Sequence, residues 1–252
     1  MSTSTQSLST TRGVVIVTGA SRGIGAALAL RLARDGHAVV VNYASSAREA
    51  EALVAQIASE GGRAIAVKAN IAKSEEVRHL FDTTVEKLGQ PTVLVNNAGV
   101  MKLATIADST DAVYDEMFDI NVRGTLNTMR EAAAKLADGG RVINFSTTAL
   151  ALNLPGYGIY NATKGAVEAL TRVFAKELRG RSITVNAVAP GPVATALFLE
   201  GKTEEQIRHF ASLPPLERLG QPDDIAAVVS FLAGPDSGWV DGQTLRANGG
   251  LA

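Results

Sequence analysis

Residues 18–25 read Thr-Gly-Ala-Ser-Arg-Gly-Ile-Gly and follow directly on the apolar run Val14–Val17. Apolar residues at helical spacing come next, from Ala26 to Leu32. A strand, a glycine-rich turn and a helix in this order place a phosphate group at the N-terminus of the helix. The spacing is Gly-x-x-x-Gly-x-Gly rather than the commoner Gly-x-Gly-x-x-Gly, so an ordinary turn is the alternative interpretation. Three glycines opening an amphipathic helix favour the phosphate site.

Strand-like and helix-like segments alternate along the rest of the chain. Short apolar runs predict further strands at 38–41, 64–67, 93–95, 141–145, 183–188 and 243–246. The segments between them predict helices at 47–59, 75–88, 110–136, 157–178 and 223–232, while 194–218 is less regular. Strands separated by helix-length segments are typical of parallel βαβ units. We therefore expect an α/β fold over residues 12–252, a single-domain, doubly wound (Rossmann-type) parallel sheet with helices on both faces.

The composition limits the class of protein. The chain has 252 residues, 46% of them hydrophobic, and a net charge of −1, which argues against a nucleic-acid or membrane-surface partner. It has no cysteine, and its three histidines show no ligand spacing, so we expect no metal site. No apolar run has the length of a membrane span. Residues 1–11, rich in Ser and Thr, predict a disordered tail, and we expect a soluble cytoplasmic protein.

Polar and glycine residues gather where the predicted strands end. A doubly wound sheet holds its ligand at the carboxyl ends of the strands. Those ends carry residues 19–25, 42–46, 70, 96–99, 146–148 and 190–195. One rim of the sheet is therefore the expected ligand site.

Tyr160 and Lys164 are candidates for acid–base chemistry on the predicted helix 157–178. Four residues apart, they lie on one face of that helix. A nearby cation favours the phenolate and lowers the pKa of a tyrosine, so Tyr160 could exchange a proton with an alcohol or carbonyl oxygen. An isolated pair of this kind is usually only a helix surface. The rest of the chain supplies the reason to consider it catalytic.

Taken together, the motifs resemble the short-chain dehydrogenase/reductase family over nearly the whole chain from Gly13. The matching motifs are TGASRGIG at 18–25, NNAG at 96–99, Asn121 in Asn-Val-x-Gly, Tyr160-x-x-x-Lys164, Pro190-Gly191 and Asn248-Gly249-Gly250. Each motif is weak alone, and their order makes the match specific. The similarity is greatest to the group of 3-oxoacyl-ACP reductases and carbonyl reductases.

The resemblance implies roles for five catalytic candidates. Tyr160 would give or take the substrate proton, Lys164 would bind the nicotinamide ribose and lower the tyrosine pKa, and Asn121 would hold a water in the proton relay. The family has a serine thirteen residues before the tyrosine, to hydrogen-bond the substrate oxygen. Here position 147 is Thr, and Ser146 lies fourteen residues before Tyr160. The count favours Thr147, whereas an insertion in 148–159 would favour Ser146.

The resemblance also implies a nicotinamide dinucleotide. Its expected contacts are Gly19, Ser21, Arg22, Gly23, Ile24, Gly25, Tyr43, Ser45, Ser46, Asn70, Ile71, Asn97, Ala98, Gly99, Tyr160, Lys164, Pro190, Gly191, Val193 and Thr195. An NAD site normally has an acidic residue about twenty positions after the glycines. The predicted second strand ends without one, and Arg22 with Ser45 and Ser46 can bind a 2′-phosphate. We therefore expect NADP(H) to be preferred over NAD(H).

The resulting prediction is an NADP(H)-dependent carbonyl reductase/alcohol dehydrogenase acting on a small-molecule ketone or secondary alcohol. The expected substrate wall is apolar and comprises Met101, Leu103, Leu150, Leu152, Leu154, Tyr157 and residues 194–216. One alternative is a 3-oxoacyl-ACP reductase of fatty-acid synthesis, and another is an NADP-sensing binding protein without catalysis. The resemblance further implies a homotetramer built through two long helices.

Overall fold

The structure is a computed structural model that describes residues 12–252, so the predicted tail 1–11 lies outside the described residues. Seven parallel strands form one sheet in the order β3-β2-β1-β4-β5-β6-β7. The strands are β1 Val14–Val17, β2 Ala38–Tyr43, β3 Arg63–Lys68, β4 Pro91–Asn96, β5 Arg141–Phe145, β6 Thr184–Pro190 and β7 Thr244–Ala247. This arrangement confirms the predicted doubly wound sheet.

Ten α-helices accompany the strands in the described part of the chain. They are α1 Gly23–Arg34, α2 Ala47–Ser59, α3 Ser74–Leu88, α4 Asp111–Met117, α5 Gly124–Lys135, α6 Ala149–Leu152, α7 Gly158–Glu177, α8 Ala196–Leu199, α9 Glu204–Ser212 and α10 Pro222–Ala233. A π-helical segment, Phe118–Arg123, joins α4 to α5. No helix among residues 12–252 has the length and apolarity needed to cross a membrane.

Both faces of the sheet are covered, which explains why its central strands are apolar throughout rather than alternating. Val15 and Val17 of β1 belong to a core under α1, α2 and α10, whereas Ile16 belongs to the core under α3, α5 and α7. All four residues of β1 are buried. Full burial of one such aliphatic side chain stabilises the fold by roughly 1.5–3 kcal/mol, so the two cores fix the sheet and, with it, the rim above it.

Two segments differ from their sequence-based predictions. The predicted continuous helix 110–136 is interrupted by the π-helical segment, where the chain accommodates one wider turn. The predicted irregular stretch 194–218 contains α8 and α9, each begun by a threonine cap. Thr195 accepts a hydrogen bond from the Phe198 N–H, and Thr203 forms a capping box with Gln206. These caps satisfy amide groups that short helices otherwise leave unpaired.

The strand order reverses between β1 and β4, with β2 on one side and β5 on the other. At this reversal the connections leave the sheet in opposite directions and leave a crevice above the carboxyl ends of the strands. The glycine-rich turn after β1 and the NNAG segment after β4 lie side by side there. The fold therefore brings the predicted rim together.

Candidate active site

One cavity of about 510 Å³ occupies this rim. All of the predicted cofactor-binding residues line it, as do Ser146, Thr147, Tyr160 and Lys164. Of the predicted site residues, Asn121 alone does not line it. Residues separated by more than 170 positions in the sequence thus face a single space.

The glycine turn has the close backbone approach that its sequence predicts. Gly19 has a φ of +61°, and a Cβ there would lie 2.8 Å from the Ala98 Cα. A Cβ on Gly25 would collide with the Gly19 carbonyl oxygen and lie 2.6 Å from the Asn97 amide nitrogen. Any larger residue at these two positions would push the turn away from the NNAG segment, so glycine is required at both.

Polar side chains hold this turn from beneath. Asn97 donates from Nδ2 to the carbonyl oxygens of Thr18 and Gly19, at 2.9 and 3.0 Å. The Thr18 hydroxyl accepts from the N–H groups of Asn97 and Ala98, at 3.0 and 3.1 Å. The Gly19 N–H donates to Asn42 Oδ1 at 3.3 Å. The side chain of Asn97 therefore positions the glycine turn. Asn97 also lines the cavity.

The electrostatics of the cavity suit an anionic dinucleotide. Arg22 and Lys164 are the charged residues lining it, and no Asp or Glu among residues 12–252 does so. Helix α1 starts at Gly23 with no acidic residue in its first turn and no side-chain cap. Its first N–H groups and the positive end of its dipole are thus available to a phosphate. Ser45, Ser46 and Tyr43 line the same end, so the residues fit NADP(H).

Asn70 lies two residues after the end of β3, in the turn before α3. Its side-chain oxygen accepts from the Ala72 N–H at 3.0 Å, and its own N–H donates to Glu76 at 2.7 Å. The oxygen is thus used to shape the turn before α3. The amide group of Asn70 remains at the cavity wall beside Ile71.

Tyr160 and Lys164 lie one turn apart near the start of α7. The Lys164 side chain is only 6% exposed, and its Nζ donates to the Phe145 carbonyl oxygen at 2.9 Å. The same nitrogen lies 5.8 Å from the centroid of the Tyr160 ring. Helix α7 therefore brings both groups to the end of β5, as the spacing predicts.

The pKa values of this pair reflect burial. Burial lowers the pKa of Lys164 to about 8. Burial raises the pKa of Tyr160 to about 12, against a hydrogen bond with Thr147 that lowers it, and the neighbouring Tyr157 raises it further. Lys164 is not among the causes of this shift, so a lowering of the Tyr160 pKa by Lys164 stays a prediction.

The two candidate hydroxyls after β5 have different partners. Ser146 donates to Glu168 Oε1 at 2.6 Å. Thr147 forms the hydrogen bond with Tyr160. The contact with the phenol favours Thr147, but both residues line the cavity, and the choice between them stays a prediction.

Asn121 is buried behind the cavity in the π-helical segment. Its Oδ1 accepts from the Val100 N–H at 2.8 Å, and its Nδ2 donates to the Val100 carbonyl and the Thr163 hydroxyl at 2.9 and 3.1 Å. A Cβ added to Gly99 would lie 3.1 Å from Asn121 Oδ1 and 3.6 Å from Lys164 Nζ. Asn121 and Lys164 thus flank the backbone of Gly99.

The predicted apolar wall is correct in most positions. Met101, Leu152, Leu154, Tyr157, Leu197, Phe198 and Phe210 line the cavity. Leu103 is 46% exposed and does not line it. Leu150 lines a separate cavity of about 330 Å³ beside Glu168 and Arg172. Both were expected in the wall of the larger cavity, and neither lines it.

Six lining residues were not predicted from the sequence as part of the site: Ala69, Val100, Ile120, Phe145, Ala149 and Leu251. Ile120 precedes Asn121 in the π-helical segment, which was not predicted from the sequence. The C-terminal segment reaches the site because Asn248 Nδ2 donates to the Thr148 hydroxyl at 3.2 Å. The Asn248-Gly249-Gly250 motif was the feature of the sequence that could have indicated this contact between the C-terminal segment and the site. Among residues 12–252, no group of three His, Asp or Glu side chains is placed to hold a metal ion.

Comparison with known proteins gives consistent similarities. A family model described as enoyl-(acyl carrier protein) reductase matches residues 19–252. A short-chain type dehydrogenase/reductase of Picea abies is 44% identical over 247 residues, covering 94% of this chain and 91% of that protein. A chloroplastic NADPH-dependent aldehyde reductase-like protein of Arabidopsis thaliana is 40% identical over 251 residues, covering 94% and 93%. The structure of a metagenomic blue fluorescent protein in complex with NADPH has a TM-score of 0.91 at 36% identity, covering 96% and 98%.

Proposed function

Because the chain belongs to the short-chain dehydrogenase/reductase family, we propose that it is an NADP(H)-dependent carbonyl reductase acting on a ketone or secondary alcohol. The observation that carries the proposal is one shared cavity. Thr147, Tyr160 and Lys164 line this cavity, and so do Gly19 and residues 21–25 of the glycine turn. A proton donor and a dinucleotide cradle therefore face the same space.

Arg22, Ser45 and Ser46 are proposed to bind the 2′-phosphate. Arg22 supplies the positive charge, and the two hydroxyls supply hydrogen-bond donors at the cavity wall. The glycine turn and the start of α1 are proposed to hold the pyrophosphate, and Lys164 the ribose beside the nicotinamide. Bound in this cavity, NADPH supplies the hydride for the carbonyl carbon. The use of NADPH by the similar Arabidopsis thaliana protein supports this choice of cofactor.

Tyr160 is proposed to give the proton. With a pKa of about 12 it carries its proton at neutral pH, which is the state that can donate to the carbonyl oxygen. The carbon gains the hydride and the oxygen gains the Tyr160 proton, so a ketone becomes a secondary alcohol. Tyr160 then takes a new proton from solvent. Oxidation of the alcohol would run the same steps in reverse, with the phenolate of Tyr160 as the proton acceptor.

Thr147 and Lys164 support this transfer in different ways. The Thr147 hydroxyl, bonded to Tyr160, can donate to the same substrate oxygen and fix its position. Protonated Lys164 stabilises negative charge that develops on the phenol oxygen. Asn121 is proposed as a positioning residue, because its two hydrogen bonds to Val100 fix the backbone beside Gly99.

The direct test is NADPH consumption. Purified protein should oxidise NADPH when an activated ketone is added, and NADH should be a poorer donor. A protein that binds NADPH tightly but turns over no carbonyl compound would instead be the NADP-sensing binding protein. The same assay with a 3-oxoacyl thioester addresses the alternative function, a 3-oxoacyl-ACP reductase.

The homotetramer is also proposed, through the outer face of α7 and the neighbouring α4–α5 region. Ala162, Ala169 and Val173 are exposed on α7, and Tyr114 is exposed on α4. Small residues allow helices to approach closely, and exposed apolar side chains gain from being covered. Light scattering should give four times the chain mass of 26.2 kDa, whereas a monomer would contradict the assembly.

A further inference from the structure

A buried hydroxyl connects Tyr160, the proposed proton donor, to Asn121. Thr163 follows Tyr160 by one turn on α7 and is fully buried. Its hydroxyl donates to the Tyr160 carbonyl oxygen at 2.7 Å and accepts from Asn121 Nδ2 at 3.1 Å. Thr163 does not line the cavity, so it can act on a bound substrate only through the residues that it contacts.

Asn121 extends this connection to the segment after β4. Its side-chain oxygen accepts from the Val100 N–H at 2.8 Å. Its side-chain nitrogen donates to the Val100 carbonyl oxygen at 2.9 Å, in addition to the bond with Thr163. Tyr160 and Val100 both line the cavity. The Thr163 hydroxyl therefore joins the helix that carries Tyr160 to the backbone of another cavity-lining residue.

The chemistry of a hydroxyl group gives this connection a direction. A threonine hydroxyl has one hydrogen to donate, and here the Tyr160 carbonyl oxygen accepts it. The hydroxyl oxygen is then an acceptor for Asn121, whose amide nitrogen faces α7. Without the hydroxyl, one N–H of the buried Asn121 amide would lose its partner, which is unfavourable. The turn that carries Tyr160 would lose its bond to Asn121 at the same time.

We propose that Thr163 is a positioning residue, whose hydroxyl holds the start of α7 against Asn121 and thereby keeps the Tyr160 phenol in place for proton transfer. The proposal rests on the proposed carbonyl reductase function and adds a residue to it. A small displacement of a reacting group strongly lowers the rate of a chemical step, so loss of the hydroxyl should lower kcat by about tenfold or more. The KM values for NADPH and ketone should change by less than about twofold, because Thr163 contacts neither.

Thr171 provides a matched control on the same helix. It is fully buried, as Thr163 is. Its hydroxyl donates to the Val167 carbonyl oxygen at 2.8 Å and accepts from Nδ2 of the buried Asn144, also at 2.8 Å. The pattern of hydrogen bonds is thus the same, but Thr171 lies further along α7, and neither it nor its two partners line the cavity. Thr171 therefore shows what a buried hydroxyl contributes without a contact to Tyr160.

The experiment compares Thr163→Val with Thr171→Val, by urea unfolding and by steady-state kinetics with NADPH and an activated ketone. Valine keeps the shape of threonine and lacks the hydroxyl, so both variants should lose stability to a similar extent. Thr163→Val alone should show the fall in kcat, with KM values near those of wild type. Equal kcat values for the two variants would overturn the proposal.

A second pair of variants tests the hydroxyl on a smaller side chain. Thr163→Ser keeps the hydroxyl and Thr163→Ala removes it, while both lack the methyl group of threonine. The serine variant should therefore have a kcat close to that of wild type and well above that of the alanine variant, and equal values for the two would contradict the proposal. If Thr163→Val and Thr163→Ala both fail to fold while Thr171→Val folds, the hydroxyl is required for folding and the positioning role is wrong.

These outcomes separate the positioning role from the function. If the wild-type protein reduces no ketone with NADPH or NADH, the proposed carbonyl reductase function itself fails, and the role of Thr163 fails with it. If the wild-type protein reduces ketones and Thr163→Val does so as fast as Thr171→Val, the function stands and the positioning role is wrong.

Discussion

The ammonium nitrogen of Lys164 lies 5.8 Å from the centroid of the Tyr160 ring and donates to the Phe145 carbonyl oxygen at 2.9 Å. The helical spacing of four residues places the two side chains together, and the end of β5 fixes the nitrogen. In the polypeptide alone, the buried lysine has a lowered pKa and the buried tyrosine a raised one. The pair therefore lies in a poorly hydrated pocket, and the Tyr160 phenol is protonated at neutral pH.

The first prediction concerns cofactor choice. Arg22→Ala should raise the Michaelis constant for NADPH by about ten- to a hundredfold, since a hydrogen bond to a charged group contributes about 1.5–3 kcal/mol. The constant for NADH should change little, because NADH has no 2′-phosphate. Steady-state kinetics with both donors give the result, and Arg208→Ala, a change on the outer surface of α9, is the control. A wild-type enzyme that prefers NADH would contradict the assignment.

The second prediction concerns pH and stability. The pKa of Lys164 is lowered to about 8 from an ordinary value of 10.5. Between these pH values the unfolded chain binds a proton that the folded chain has lost, so the free energy of unfolding rises with pH. The rise is at most about 1.4 kcal/mol per pH unit. Below pH 8 both states hold the proton and this dependence vanishes.

Urea unfolding of wild type and Lys164→Met across this range measures the effect. The difference between the two free energies should grow with pH above about 8, because Met at this position has no proton to lose. Lys176→Met, at the exposed end of the same helix, is the control for general alkaline effects. A wild-type minus Lys164→Met difference that stays constant from pH 7 to pH 10 would count against the lowered pKa.

The third prediction separates the two hydroxyls after β5. Thr147→Ala should lower kcat/KM by about ten- to a hundredfold, since it removes the donor beside Tyr160 and leaves the substrate oxygen with one partner fewer. Thr147→Ser should restore most of that loss. Ser146→Ala removes the bond to Glu168 and should affect stability more than turnover. If Ser146→Ala were the crippling change, the count of thirteen residues would be wrong.

The fourth prediction concerns the α8–α9 segment as a cover for the site. Its residues Leu197, Phe198 and Phe210 line the cavity, and Gly201 between the helices has a φ of +73°. We expect amide exchange of residues 196–212 to slow when NADPH and a ketone are bound, because the substrate packs beneath these helices. Hydrogen-exchange mass spectrometry measures it, with α2 as the internal reference. Equal protection with and without ligands would argue against a cover.

Much of the fold and part of the site could be predicted from local rules. The turn at 18–25 needs glycine at positions 19 and 25 for reasons that act within a few ångströms, so sequence spacing is informative. The alternation of strands and helices then fixes which loops share one rim. The count of thirteen residues before Tyr160 predicts Thr147 rather than Ser146 as the catalytic hydroxyl, and that choice stays a prediction.

Other features depend on the packing of distant segments and were not predictable. Leu103 and Leu150 are as apolar as Leu152 and Leu154, yet only the last two line the cavity; Leu150 and Leu152 even share helix α6. The pKa of Tyr160 depends on how completely α7 and its neighbours remove water, which spacing does not reveal. The wider turn at Asn121 depends on the fit between α4 and α7.

The central claim is that Tyr160 gives the proton, and Tyr160→Phe tests it most directly. The change keeps the ring and its packing against Tyr157 and removes only the hydroxyl. Circular dichroism and NADPH binding should therefore match those of wild type, while kcat falls by about a hundred- to ten-thousandfold, the usual contribution of general acid–base catalysis. A folded Tyr160→Phe enzyme that binds NADPH and reduces ketones at a near-normal rate would contradict the mechanism.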